Sequence, residues 1–178
     1  PAPGRPLESY LMATPEQWTA IARRLMGRRA EPYLAIPSGG FAAGGRGFFH
    51  DLGAERTLRL AAHEGWHQYH QTVFAQPLPA WLDEAIGVSM EGLVFRDPPG
   101  GVGPRQPVPE PWANVERFDR LKSLAIRGRL MPLEELLTKS PADLLAGTDE
   151  PLADLPQLHS GGDAALGYYA QAWALERF

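Results

Sequence analysis

The sequence predicts an α+β fold in one domain, with a small N-terminal sheet and a mostly helical C-terminal part. Three observations lead to this prediction. Short alternating or aromatic segments punctuated by glycine occupy residues 1–50. Beyond residue 54, apolar residues recur at helical spacing instead. The chain has 178 residues, of which 44% are hydrophobic and 21% charged, as in a globular domain that buries its own core.

The N-terminal elements are predicted to be a strand, a helix and two further strands. Residues 7–12 alternate as a strand does, and Thr14 followed by Pro15 is typical of a helix start. Residues 32–36 and 48–50 have strand composition. The glycines between these last two segments predict a hairpin turn.

The rest of the chain is predicted to be helical wherever the apolar spacing is regular. The predicted helices span residues 54–74, 80–95, 115–126, 132–137, 141–146 and 164–178. Residues 97–111 are rich in proline and glycine and predict a long loop or an insertion without regular structure. The last helical pattern still runs at residue 178, which leads us to expect that the chain is part of a longer protein.

Composition limits the partners and the chemistry. The formal net charge is −4, from 17 Lys and Arg against 21 Asp and Glu, so no nucleic-acid partner is expected. No apolar run is long enough to span a bilayer. The chain contains no cysteine, which excludes disulfides, thiolate zinc ligands and cysteine nucleophiles. The oligomeric state and the compartment, whether envelope, secreted or cytosolic, stay open.

Three of the five histidines, His63, His67 and His70, lie within eight residues. Residues 63–67 read H-E-x-x-H on a predicted helix, where positions i and i+4 share a face, so His63 and His67 can face one metal ion. Imidazole is a good ligand for zinc, and Glu64 is near enough to take a proton from a water at the metal. We therefore predict one zinc ion. The alternative is a helix whose polar face carries two histidines without a metal.

The third ligand of such a site is predicted to be Glu84. A catalytic zinc site usually has three protein ligands, and without cysteine the third must be His, Asp or Glu. Glu84 follows His67 by seventeen residues, a span that a helix, a turn and a returning helix would fill. The alternative is that Asp83 and Glu84 are first-turn acids that the helix dipole favours.

The H-E-x-x-H motif followed by W-L-D-E at residues 81–84 resembles the gluzincin metallopeptidases. The longer strings HEGWHQY and LPAWLDE are similar to a bacterial family of peptidase-MA-like domains. The resemblance implies a zincin-like catalytic domain in which His63, His67 and Glu84 hold zinc and Glu64 is the general base.

The resemblance also implies a tyrosine late in the domain that stabilises the oxyanion. Tyr169 is the nearest match, and Tyr168 is the neighbour that could serve instead. Either residue could simply anchor the last helix. Ala85 replaces the glycine of the aminopeptidase motif, and the aminopeptidase segment that reads a free amino terminus is absent, so aminopeptidase activity is not implied.

Three further polar residues are candidates for contacts around the ligands or with substrate. His70 lies one turn past His67, and we favour a surface position for it over a place beside the ligands or the substrate. Asp83 is expected either to orient a ligand histidine or to cap its helix. Glu91 is expected either to hydrogen-bond a ligand histidine or to lie on a solvated helix face.

The predicted function is zinc-dependent hydrolysis of a peptide bond in a peptide or protein substrate. Residues 38–41 are expected to border the cleft, since zincins bind extended substrate along an edge strand, although an ordinary hairpin turn explains their glycines equally well. Two alternatives stay open. One is a catalytically idle zincin fold that binds peptide or has a structural role, and the other is a zinc hydrolase with a non-peptide substrate.

Overall fold

The structure, a computed structural model, describes residues 3–34, 39–103, 105–110, 114–145 and 163–177. The strands are β1 (Glu8–Met12), β2 (Gly40–Ala43), β3 (Arg46–His50), β4 (Leu93–Arg96) and β5 (Gln106–Pro109). The α-helices are α1 (Pro15–Met26), α2 (Glu31–Leu34), α3 (Ala54–Val73), α4 (Ala80–Glu91), α5 (Val115–Ile126), α6 (Leu133–Thr138), α7 (Pro141–Leu145) and α8 (Asp163–Arg177). The predicted α+β class, with a small sheet before a mostly helical part, is confirmed.

The N-terminal sheet has three strands in the order β1-β3-β2. β1 pairs with β3 in parallel, and β2 pairs with β3 in antiparallel. The hairpin between β2 and β3 turns at Gly44 and Gly45, whose φ angles are +59° and +74°, a conformation that other residues rarely adopt. The order leaves β2 at an edge of the sheet, against α3.

An aromatic core fixes the position of β2. The Phe41 ring stacks on Phe48 and on Tyr33, with centroids 4.6 and 4.0 Å apart. Trp18 of α1 is 2% exposed and meets Phe41 edge-on. Its indole nitrogen donates a hydrogen bond to the Tyr33 carbonyl oxygen at 3.2 Å. Because one face of the hairpin is buried in this core, the β2 edge is held rigidly beside α3.

The predicted strand over residues 32–36 and the predicted helix over residues 80–95 are wrong in part. Residues 32–36 were predicted to form a strand, but Glu31–Leu34 is a helical turn and residues 35–38 lie outside the described ones. The contact between Trp18 and the Tyr33 carbonyl favours the compact turn over an extended segment. The helix predicted over 80–95 ends at Glu91, where Gly92 follows and β4 begins.

The loop predicted over 97–111 is also wrong in part, because β5 lies within it and pairs antiparallel to β4. Val94 pairs with Val108, and the Glu110 amide donates to the Gly92 carbonyl oxygen at 3.3 Å. The hydrogen-bonded pairs therefore fall at alternate residues, which leaves Pro107 and Pro109 where no amide donor is needed.

The helices form the second part of the molecule. α3 and α4 pack as an antiparallel pair, and α8 packs against α4 and α5. A second core joins α4, α6 and α8 through Ala85, Leu136, Tyr168 and Ala172. No helix within the described ranges is long and apolar enough to cross a membrane.

Candidate metal centre

Two helices bring three ligand-type side chains to one point. The i, i+4 spacing places His63 and His67 on one face of α3, and the antiparallel α4 brings Glu84 beside them. His63 Nε2 lies 3.1 Å from His67 Nε2 and 3.3 Å from Glu84 Oε2. His67 Nε2 lies 3.4 Å from the same oxygen. These three residues form a group that could hold a metal ion.

The other nitrogen of each imidazole faces a carboxylate. His63 Nδ1 donates to Glu91 Oε1 at 2.8 Å, and His67 Nδ1 lies 3.2 Å from Asp83 Oδ2. When the ring proton sits on Nδ1 in this way, Nε2 of a neutral imidazole carries a lone pair. Both Nε2 atoms lie beside each other and beside Glu84 Oε2, where either ring protons or one cation can join the three atoms.

The residues present fit a bound cation. Glu84 Oε2 is buried without a well-formed hydrogen bond from the described residues, although a buried carboxylate oxygen normally has one, and its contacts are the two histidine Nε2 atoms at 3.3 and 3.4 Å. The three separations of 3.1–3.4 Å match the edge of about 3.3 Å expected for a tetrahedral ion with bonds of about 2.0 Å. Two imidazole nitrogens and one carboxylate oxygen at these separations could hold a metal ion.

The electrostatics of the centre favour positive charge. Burial disfavours a charged imidazole, but contacts with Glu84 and Glu91 outweigh it and raise the pKa of His63 to about 9. Burial also disfavours a charged imidazole at His67, but contacts with Asp83 and Glu84 outweigh it and raise the pKa of His67 to about 11. Burial opposes ionisation of Glu84, yet the two histidines hold its pKa well below the usual range. A divalent cation would satisfy the same field.

A cleft opens beside the centre, with a volume of about 260 Å³. It is lined by Gly40, Phe41, Ala42, His63, Glu64, His67, Gln71, Asp83, Glu84 and Tyr169. Glu64 is only 6% exposed, and burial raises the pKa of its carboxyl. A Cβ added to Gly40 would lie 3.4 Å from Glu64 Cγ, an ordinary contact, but only 2.6 Å from the Phe48 carbonyl oxygen. The close approach of β2 to Phe48 therefore requires glycine at this position.

The edge of β2 faces this cleft with its main chain. The His50 amide donates to the Gly39 carbonyl oxygen at 2.9 Å, and the pairing register then directs the main-chain groups of Gly40 and Ala42 away from β3. Gln71 Nε2 donates to the Ala42 carbonyl oxygen at 3.2 Å. The predicted border segment 38–41 is thus described in part, since residue 38 lies outside the described residues.

The two candidate tyrosines occupy different places. Tyr169 lines the cleft, with its ring centroid 6.2 Å from that of His63, and burial raises the pKa of its hydroxyl. Tyr168 packs in the second core and donates its hydroxyl to the Lys139 carbonyl oxygen at 2.9 Å. It does not line the cleft, so the oxyanion role considered for Tyr168 does not fit its position.

The surface position favoured for His70 is wrong, because the residue is 5% exposed. Its ring stacks on Trp66, and its Nε2 accepts a hydrogen bond from the Leu78 amide at 3.2 Å. His70 Nδ1 lies 3.1 Å from Asp83 Oδ1, which also accepts from Trp66 Nε1 at 2.7 Å. His70 and Trp66 thus hold Asp83, the carboxylate that faces His67.

Two polar residues at the start of α5, the N-cap Asn114 and Arg117, are not among the residues predicted from the sequence. Asn114 Nδ2 donates to Glu91 Oε2 at 3.0 Å, and Arg117 contacts both oxygens of Glu91. The sequence offered one clue to Asn114, because asparagine is a preferred residue at a helix N-cap. It offered no clue to Arg117, because a single arginine in an amphipathic helix is ordinarily exposed to solvent.

Comparison with known proteins adds no relative: no protein-family model, curated protein or solved structure matches the chain. The resemblance of the two motifs to gluzincins therefore stays a prediction.

Proposed function

We propose that the protein is a zinc-dependent peptidase with a zincin-like catalytic domain. The observation that carries the proposal is the convergence of two imidazole nitrogens and one carboxylate oxygen within 3.4 Å of one another, with the buried Glu64 side chain in the adjoining cleft. Two histidines and a glutamate form a known zinc ligand set that leaves a fourth position open.

The chain's own groups divide the work of hydrolysis. Zinc, when bound, polarises the scissile carbonyl and lowers the pKa of the attacking water. Glu64 takes the proton of that water and passes it to the leaving amine nitrogen. Tyr169 donates a hydrogen bond to the oxygen that becomes negative. His63, His67 and Glu84 hold the ion, while Glu91 and Asp83 keep both imidazoles in the ligating tautomer.

A peptide is the favoured substrate because a sheet edge borders the cleft. The outward main-chain groups of Gly40 and the outward amide of Ala42 can pair with an extended peptide as an added strand, while the Ala42 carbonyl oxygen already accepts from Gln71 Nε2. Such pairing is made with the backbone of the peptide and not with its side chains, and a strand added there would lie in the cleft that Glu64 also lines.

The proposal is tested by assaying the zinc-loaded chain on a library of quenched fluorescent peptides. We expect turnover that EDTA abolishes and a stoichiometric amount of zinc restores. Zinc uptake without cleavage of any library member would contradict the peptidase assignment and favour an idle binding module. Hydrolysis of phosphate or carboxylate esters alone would contradict it in favour of a non-peptide substrate.

Replacement of Asp83 by Asn is expected to weaken zinc binding without unfolding the chain. An amide NH₂ facing His67 Nδ1 meets another donor, so the ring proton moves to Nε2 and removes the lone pair that zinc needs. Loss of such an outer partner costs about 10–100-fold in metal affinity. Competition with a chromophoric chelator measures the effect, and Asp119→Asn, an exposed change on α5, is the control. Unchanged affinity in Asp83→Asn would refute the orienting role.

Gly65→Ala on α3 and Gly87→Ala on α4 distinguish the effect of helix propensity on stability from the effect of packing against His63 on zinc binding. A Cβ at Gly87 would lie 3.0 Å from both Cε1 and Nε2 of His63, whereas one at Gly65 meets nothing within 4 Å. We expect Gly65→Ala to raise the free energy of unfolding by about 0.5–1 kcal/mol. Gly87→Ala is expected to displace the His63 ring and lower zinc affinity.

The pair is measured by denaturant unfolding of the metal-free chains and by zinc competition. Equal zinc affinity in the two variants would contradict the close approach of α4 to His63.

A further inference from the structure

Arg117 is a buried cation on α5 that reaches the centre from outside its ligand helices. It is 7% exposed. Its Nε lies 3.4 Å from Glu91 Oε2, and its Nη2 lies 3.3 Å from Glu91 Oε1. The guanidinium therefore grips both oxygens of one carboxylate, a planar two-point contact that an ammonium group does not reproduce.

The contact is anchored at the start of α5. Asn114 caps the helix by accepting from the Arg117 amide at 3.4 Å. Its side-chain amide also donates to Glu91 Oε2 at 3.0 Å and to the Val88 carbonyl oxygen at 3.2 Å. These bonds tie the first turn of α5 to α4, so Arg117 approaches Glu91 from a fixed position.

Glu91 passes this constraint to a predicted metal ligand. The oxygen that Arg117 Nη2 contacts, Oε1, is the one that accepts from His63 Nδ1 at 2.8 Å. Glu91 is 4% exposed, so its carboxylate has no bulk water with which to exchange partners. The direction of the His63 ring thus depends on a carboxylate that Arg117 and Asn114 orient.

The same guanidinium also packs on the cleft tyrosine. Arg117 Cζ lies 5.4 Å from the centroid of the Tyr169 ring, within the range of a cation–π contact. The same guanidinium therefore contacts Glu91 and the Tyr169 ring. His63 and Tyr169 belong to different helices, and Arg117 contacts Tyr169 directly and His63 through Glu91.

We propose that Arg117 is a positioning residue that holds His63, through Glu91, and the Tyr169 ring in the orientations that metal binding and hydrolysis need. The proposal has two halves. The Tyr169 half, the positioning of the Tyr169 ring for hydrolysis, rests on the proposed function. The His63 half, the positioning of His63 through Glu91, needs only that the chain binds a metal ion. Arg117 touches neither the ion nor the reacting atoms, and it acts through the two residues that do.

Arg117→Lys tests the proposal because it keeps the charge that compensates Glu91 but loses the planar fork. We expect affinity for Co²⁺ and Zn²⁺ to fall about 10–100-fold, as for other outer-partner losses, with a shifted visible spectrum of the cobalt-loaded chain. Turnover of a cleaved peptide is expected to lose about tenfold in kcat with KM within about twofold, as when a contact made only in the transition state is lost. Arg127→Lys, the same change at the exposed C-terminal end of α5, is the matched control and should leave all readouts unchanged.

A double-mutant cycle isolates the tyrosine half. Tyr169→Phe keeps the ring and loses the hydroxyl, so Arg117→Lys should lower kcat much less in that background than in the wild type. Full additivity of the two losses would overturn the Tyr169 half. A cobalt spectrum and a metal affinity equal to those of the wild type would overturn the His63 half.

The proposal can still be tested if no peptide is cleaved or if Arg117→Lys does not fold. If the chain binds cobalt but cleaves no peptide, the proposed peptidase function fails while the spectrum still decides the His63 half. If Arg117→Lys does not fold, the double variant Arg117→Met with Glu91→Gln removes both buried charges together. It is compared with Glu91→Gln alone: we expect a further spectral shift in the double variant, and identical spectra of the two variants would overturn the proposal.

Discussion

Glu64→Gln is expected to lower kcat for peptide hydrolysis about a thousandfold while the chain still binds one zinc ion per molecule. A positioned general base contributes about 10²–10⁴ to the rate, and a glutamine in the same place accepts no proton. The ligand triangle of His63, His67 and Glu84 is untouched by the change. The measurement is kcat on a cleaved peptide beside metal content by atomic spectroscopy.

The same substitution is expected to leave the stability unchanged or higher. Burial raises the pKa of Glu64, which means that the ionised carboxylate costs folding free energy that a neutral amide does not. Glu55→Gln, an exposed change on the first turn of α3, is the control and should retain full turnover. Glu64→Gln with wild-type kcat would refute the general-base role.

Glu84→Gln is expected to have the largest effect on metal binding, a loss of about 10²–10³ in zinc affinity. Structural zinc sites bind with about 10–16 kcal/mol, so one of four ligands accounts for roughly 3–4 kcal/mol, or two to three powers of ten. The amide removes the negative charge but keeps the shape. The loss should exceed that of Asp83→Asn, which leaves all three ligands in place.

Zinc competition titrations check this order, with Glu134→Gln on the exposed side of α6 as the charge-matched control. Wild-type affinity in Glu84→Gln would remove Glu84 from the ligand set. The first-turn alternative, in which Glu84 only complements the helix dipole, predicts no change in affinity.

Local periodicity was sufficient to predict most of the elements and the grouping of His63, His67 and Glu84, whereas their roles as ligands were predicted with the help of the resemblance to gluzincins. The His63–His67 pair follows from helical geometry alone, and Glu84 follows from the length of a helix, a turn and a returning helix. The prediction failed where non-local contacts decide. The turn of α2 is held by Trp18, fifteen residues away in the chain, and β5 needs a partner strand that spacing does not reveal.

The surroundings of the site were harder to predict than its ligands, because burial depends on tertiary packing. His70 is a polar residue one turn past the motif and was expected at the surface, yet it is packed against Trp66 and Asp83. The adjacent tyrosines 168 and 169 are equivalent in sequence, and only the packing of α8 sends one to the second core and the other to the cleft. Arg117 acts across a gap of 26 residues to Glu91, which no motif encodes.

The central claim, a zinc ion held by His63, His67 and Glu84, is tested most directly by a crystal structure of the zinc-loaded chain with anomalous data at the zinc edge. We expect one strong peak per chain, about 2.0–2.2 Å from Nε2 of both histidines and from a Glu84 oxygen. We also expect Nδ1 of each ring to keep its carboxylate partner. A peak elsewhere, or no peak from crystals grown with excess zinc, would refute this zinc site.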